Sequence, residues 1–138
     1  MVPNHTDLLE NNIHVDPATG HITGICDWKD AEVSPFGTSL EGLESLLGER
    51  TTTGWRWVTD SRELRRAFWD AFAAIVGPGV DLERVGVARL VGIFVKYGFV
   101  WVDRENKRLL TESDNGSSFL DAITLGVEDI WVDPSSQT

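Results

Sequence analysis

The sequence predicts an α+β chain, mostly α-helical, on three observations. Near the N-terminus apolar and polar residues alternate on both sides of a proline-to-glycine turn, which is the strand period. Beyond it, apolar residues recur at helical spacing in about four segments, closed by glycine or by polar residues. No internal repeat runs through the chain, which sets solenoid architectures aside. The 138 residues amount to one domain, long enough to bury a real core.

Each element follows in order. Asn12-Ile13-His14-Val15-Asp16 places Ile13 and Val15 on one face. Pro17-Ala18-Thr19-Gly20 supplies a tight turn, with Pro fixing φ early and Gly permitting positive φ late. His21 to Cys26 then alternates again, so residues 12–27 predict a β-hairpin whose return brings Asp27 close to Asn12. Leu40, Leu43, Leu46 and Leu47 form a short amphipathic stripe over residues 39–47, closed by Gly48. Residues 49–59 read as a polar, Thr-rich connection containing Trp55 and Trp57. Asp60 resembles an N-cap with Glu63 in a capping-box position, and Leu64, Phe68, Ala71, Phe72 and Ile75 follow at helical spacing to Gly77-Pro78-Gly79. A further helix is expected from about Asp81 to Tyr97, apolar nearly all round and therefore central. Phe99 to Val102 predicts a short strand and Ser118 to Leu125 a last helix. The domain is expected to span 1–132, with 133–138 a disordered tail.

Composition narrows the function classes. Net charge is −10, from 22 acidic against 12 basic residues, and no basic patch is visible, so a nucleic-acid partner is disfavoured. An acidic surface suits a cationic or neutral small molecule or a metal ion, and equally serves solubility. The single cysteine, Cys26, cannot form an internal disulfide. No secretory signal is recognisable at the N-terminus. The longest apolar run, Val85 to Val102, is interrupted by Arg89 and Lys96, which argues for a buried helix and strand rather than a membrane span. A cytoplasmic protein with no membrane partner is the expectation.

The chemistry-bearing stretch is His5-x-Asp7-Leu8-x-x-x-Asn12, the spacing of a kinase-type catalytic loop. Phosphoryl transfer needs a carboxylate to orient and deprotonate the attacking hydroxyl, and oxygen ligands for Mg²⁺. Asp7 is placed for the first role. Asn12 offers a neutral oxygen and Asp27, carried back by the hairpin, an anionic one. His5 joins Asp7 in the catalytic loop, bracing its backbone rather than moving protons. Weaker candidates have plainer readings. Cys26 inside an apolar strand is read as packing, and His14 and His21 beside the hairpin turn as solvent-facing. Asp27-Trp28-Lys29-Asp30 could bind a cation without catalysis, and Trp55-Arg56-Trp57 is read as covering a core edge.

The segment HTDLLENNIHVDPATGHITGICDWKDAEVSPFG resembles the catalytic segment of the aminoglycoside phosphotransferase-like family, particularly divergent fungal members. The resemblance covers residues 3–48, about a third of the chain. It implies the C-terminal lobe of a protein-kinase-like fold, with an N-terminal catalytic loop and β-hairpin followed by about four helices. It further implies transfer of the ATP γ-phosphate to a small-molecule hydroxyl, with Asp7 as base and Asn12 and Asp27 as Mg²⁺ ligands. Two features depart from the family pattern. Ser39 stands where the family usually has an Asp that helps hold the loop, leaving a neutral hydrogen bond in place of a charge-assisted one. No Gly-rich loop with a following strand Lys is present, so ATP is a co-substrate only if a nucleotide-binding lobe is supplied. The expectation is therefore a lobe incomplete and inactive alone, a truncated piece of a longer kinase, or a non-catalytic pseudoenzyme or binding module. An apolar surface around residues 1–27, self-association, or a missing N-terminal lobe as partner goes with it. The acceptor stays open among aminoglycosides, choline-like amines, sugars and proteins.

Overall fold

Strands β1 (Val2–Asn4), β2 (Ile13–Val15), β3 (Ile22–Ile25) and β4 (Glu32–Ser34) open the computed structural model, which describes residues 1–125. They form two antiparallel pairs, β2 with β3 nested between β1 and β4. The inner pair is the hairpin the alternation predicts. Ile13 stands opposite Ile25 and Val15 opposite Ile22, with a bulge between His14 and Val15. Its turn is closed by the Gly20 N–H on the Asp16 carbonyl at 2.7 Å, and by the Ala18 N–H on Asp16 Oδ1 at 2.8 Å. Gly20 supplies the positive φ of 72° that closure requires. The β1–β4 pair is not foreshadowed, because three-residue strands leave no alternation to read.

The helix expected over 39–47 is divided. A 3-10 turn at Thr38–Glu41 runs into α1 (Gly42–Leu46), and Leu43 and Leu47 are buried while Leu46 faces out. Residues 49–59 correct the loop expectation. They contain a hairpin, β5 (Gly48–Thr51) with β6 (Gly54–Trp57), turned at Gly54 with φ 128°. The alternating Trp55 and Trp57 are its inward-leaning residues, and Trp55 packs on Phe119 at 4.3 Å, so the core-edge reading of this pair holds.

Two long helices follow, α2 (Ser61–Val76) and α3 (Leu82–Tyr97). The Asp60 capping box does not form. Asp60 has φ −105° and ψ 22°, away from the extended conformation that would aim its carboxylate at the first turn, and its side chain makes no cap bond. Asp81 caps α3 instead, accepting from the Arg84 N–H at 3.2 Å. The strand expected at 99–102 is β7 (Phe99–Trp101), and its partner β8 (Lys107–Leu109) lies in a charged stretch with no strand signal. Helix α4 (Ser117–Thr124) matches the last expected helix. The small α+β domain thus has four helices and four two-stranded antiparallel sheets among the described residues. The expected tail at 133–138 lies outside them.

The apolar core is Ile93, Phe119 and Ile123, with Trp55, Trp57, Leu90 and Tyr97 packed around it. Helix α3 is central on one face only. Val85 and Ile93 are buried, while Val87, Val91, Phe94 and Val95 are exposed, which corrects the expectation of burial all round. Gly92 lets α3 press against the Thr38–Glu41 turn, since a Cβ there would run into the Thr38 carbonyl. Beside this core sits an ionic one. Glu44, fully buried, receives Arg89 at 2.9 Å and a two-pronged contact from Arg65 at 2.7 and 3.1 Å.

Candidate functional site

The candidate site grows out of β1. Residue by residue, the chain leaving Asn4 has no regular ladder to join, so side chains hold it. His5 is buried and uses both ring nitrogens: Nδ1 accepts the Asp7 N–H at 3.1 Å and Nε2 lies 2.7 Å from the Cys26 carbonyl. Because Nδ1 accepts, the proton belongs on Nε2, which then donates to Cys26. Trp28 packs edge-on against the imidazole at 4.7 Å. His5 therefore ties the loop to the end of β3, which is the brace that the sequence suggests, and it has no nitrogen left for proton traffic.

Asn12 closes the other end of the loop. It is buried, and its Nδ2 donates to the Asp7 carbonyl at 2.8 Å and to Asp7 Oδ2 at 3.3 Å. That orientation commits the amide nitrogen to Asp7 and keeps Oδ1 as an acceptor, with the Cys26 thiol 3.9 Å away. The Cys26 N–H donates to the Asn12 carbonyl at 3.0 Å, so the hairpin ladder ends beside the loop and Asp27 is the next residue. Asp27 adopts φ 60° and ψ 51°, the sole non-glycine residue at positive φ among those described. Asp is one of the few side chains that tolerate this conformation, and such outliers concentrate at functional sites. Its carboxylate is exposed, with Lys29 at 4.0 Å as an ion-pair partner. His5, Asp7 and Asn12 thus form one hydrogen-bonded unit, and the chain delivers Asp27 to its edge.

Lys96 and Glu41 complete the site without being singled out by the sequence reading. Lys96, from α3, donates to Asp7 Oδ1 at 3.1 Å, to Glu41 Oε1 at 3.1 Å and to the Thr6 carbonyl at 3.3 Å. Burial pulls the Lys96 ammonium down, but Tyr97, Glu41 and Asp7 outweigh it and hold the group above the ordinary lysine range. Burial pushes the Glu41 carboxyl up, against the pull of Lys96. A signal for Lys96 existed, because a charge inside the apolar stretch Val85–Val102 must be paired once that stretch packs. Arg89, the other charge there, is likewise paired, with Glu44.

Ser39 makes a neutral bond. Ser39 Oγ donates to Asn4 Oδ1 at 2.6 Å, and Asn4 Nδ2 donates on to Ser34 Oγ at 2.8 Å, tying the approach to the loop across β1, β4 and the 3-10 turn. Cys26 departs from its packing role. It is exposed just past β3, with Sγ 3.4 Å from His14 Nε2. His14 and His21 are exposed, as expected.

Among the described residues no three His, Cys, Asp or Glu side chains gather into a metal site. An Asn oxygen and one carboxylate are nevertheless a donor set that fits Mg²⁺, which takes few protein ligands and keeps waters. Among the described residues no helix is long and apolar enough to cross a membrane. No family model, curated protein or solved structure matches the chain.

Proposed function

We propose that this chain is the C-terminal catalytic lobe of an aminoglycoside phosphotransferase-like small-molecule kinase, incomplete and inactive by itself. The observation that supports this most is the loop from His5 to Asn12. Asn12 turns its nitrogen onto Asp7 and keeps its oxygen free of that carboxylate, while His5 fastens the same loop to the residue before Asp27. In this reading Asp7 orients the acceptor hydroxyl and takes its proton, held in place by Asn12 and Lys96. Asn12 Oδ1 and the Asp27 carboxylate would hold Mg²⁺, which would supply neutralisation of phosphate charge. A nucleotide-binding lobe brings ATP, and the setting is the cytoplasm, with neither nucleic acid nor membrane as partner.

A second reading, a non-catalytic pseudoenzyme or binding module built on the same lobe, draws on a specific contact. Lys96 covers Asp7 Oδ1, one of the two oxygens a base would use.

The experiment is ATP consumption by the isolated chain with Mg²⁺ and a panel of aminoglycosides and amino alcohols. No turnover is expected, since positioning of the nucleotide supplies most of the rate in this chemistry. Robust phosphorylation abolished by Asp7→Ala contradicts incompleteness. Phosphorylation that survives Asp7→Ala contradicts the role given to the loop.

A further inference from the structure

Helix α3 turns two faces to different surroundings. Lys96 points to Asp7 and Glu41, while Val87, Val91, Phe94 and Val95 lie on the far side of the helix, each more than half exposed. Steps of four, three and one residues keep these four on one stripe of the helix surface. Trp101, also exposed, extends the stripe past the end of α3, where it lines a cleft with Val95. We propose that this stripe is the interface of a homodimer, in which α3 packs antiparallel on α3 of a second copy about a two-fold axis at Val91. The proposal does not rest on the phosphotransfer reading.

The ends of the stripe carry opposite charge. At the N-terminal end Arg84 is taken by Asp81 at 3.1 Å, which leaves Glu83 as the acidic group beside the stripe. At the other end Lys107 Nζ stands 4.2 Å over the Trp101 ring. Glu83 and Lys107 are both exposed, and neither has an ion-pair partner among the described residues. A two-fold axis makes every contact occur twice, so a surface that binds its own copy must complement itself. An antiparallel pair brings the Glu83 end of each copy to the Lys107 end of the other. A parallel pair would set like charges together.

The apolar positions obey the same symmetry. At a rise of 1.5 Å per residue, Val87 and Val95 lie about 6 Å to either side of Val91 along the axis. Val91 therefore faces its own copy, and Val87 faces Val95 of the second chain. The short side chain of Val91 at the centre lets the helix axes approach to about 8–10 Å, the ordinary helix-packing distance.

The test is sedimentation and crosslinking of the full chain. In a Cys26→Ser background, which removes the single native thiol, Val91→Cys should give a crosslinked dimer with a short bismaleimide. Val87→Cys alone should crosslink poorly, whereas its equimolar mixture with Val95→Cys should give the mixed dimer. Val91→Asp should weaken dimerisation at least tenfold, and Ile22→Glu, on the exposed face of the β2–β3 hairpin, should leave it unchanged. Lys107→Glu should weaken it severalfold, with recovery on adding Glu83→Lys. A monomeric wild type overturns the proposal, as does a dimer that Val91→Asp leaves intact or that Ile22→Glu dissolves. Equal self-crosslinking of Val87→Cys and Val91→Cys overturns the antiparallel arrangement. Val91 and Val87 are 52% exposed, so the cysteine variants keep the fold and decide the matter even if Val91→Asp does not.

Discussion

Glu44 shows how much one residue can carry. Two arginines end on its carboxylate from different elements, Arg65 from α2 and Arg89 from α3, and none of the three side chains is more than a tenth exposed. Burying three charges is repaid only while all are paired, and removing one leaves uncompensated charge in the interior. Glu44→Gln should therefore cost about 3–5 kcal/mol of unfolding free energy, read from the shift in urea midpoint at unchanged slope. A loss below about 1 kcal/mol, the level of an exposed pair, would show that the triad is solvated. At this scale the sequence was legible where chemistry fixes spacing. His5, Asp7 and Asn12 stand together because a loop of that length closes on itself through local bonds. Lys96 signalled only that it needed a partner; that the partners are Asp7 and Glu41 was not legible, since these bonds join positions 89 and 55 residues apart.

Elements were legible in proportion to their turn chemistry. The β2–β3 hairpin declared itself through Pro17 and Gly20, and α2 through its stripe and the Gly77 stop, where φ is 73°. The β5–β6 hairpin was hidden by threonines that read as loop, and β8 by the charges of Lys107 and Arg108. Which face an element buries was less legible still. Val15, Ile22 and Ile25 share one face of the β2–β3 hairpin, yet all three are exposed. Helix α3 likewise leaves Val87, Val91, Phe94 and Val95 to solvent. Periodicity marks an apolar face without naming what covers it. Exposed apolar area of this kind drives association, so sedimentation of the purified chain should show dimers or larger species. A clean monomer that binds no hydrophobic dye would contradict this.

For the whole molecule, the paired β-hairpins and packed helices place a braced His5–Asp7–Asn12 loop at the mouth of a hairpin that ends in Asp27. The central claim is that this arrangement is a phosphotransfer lobe, which requires Asn12 and Asp27 to share a metal. Affinity should be weak, because Mg²⁺ gives up its waters reluctantly and substrate phosphates supply much of its coordination. The most direct measurement is Mg²⁺ or Mn²⁺ titration of the labelled chain, followed by amide chemical shifts in the wild type and in Asp27→Ala. The account predicts roughly millimolar binding, with shifts clustered at Asp7, Asn12 and Asp27 and abolished by the substitution. Shifts that cluster elsewhere, or that survive Asp27→Ala unchanged, would contradict it.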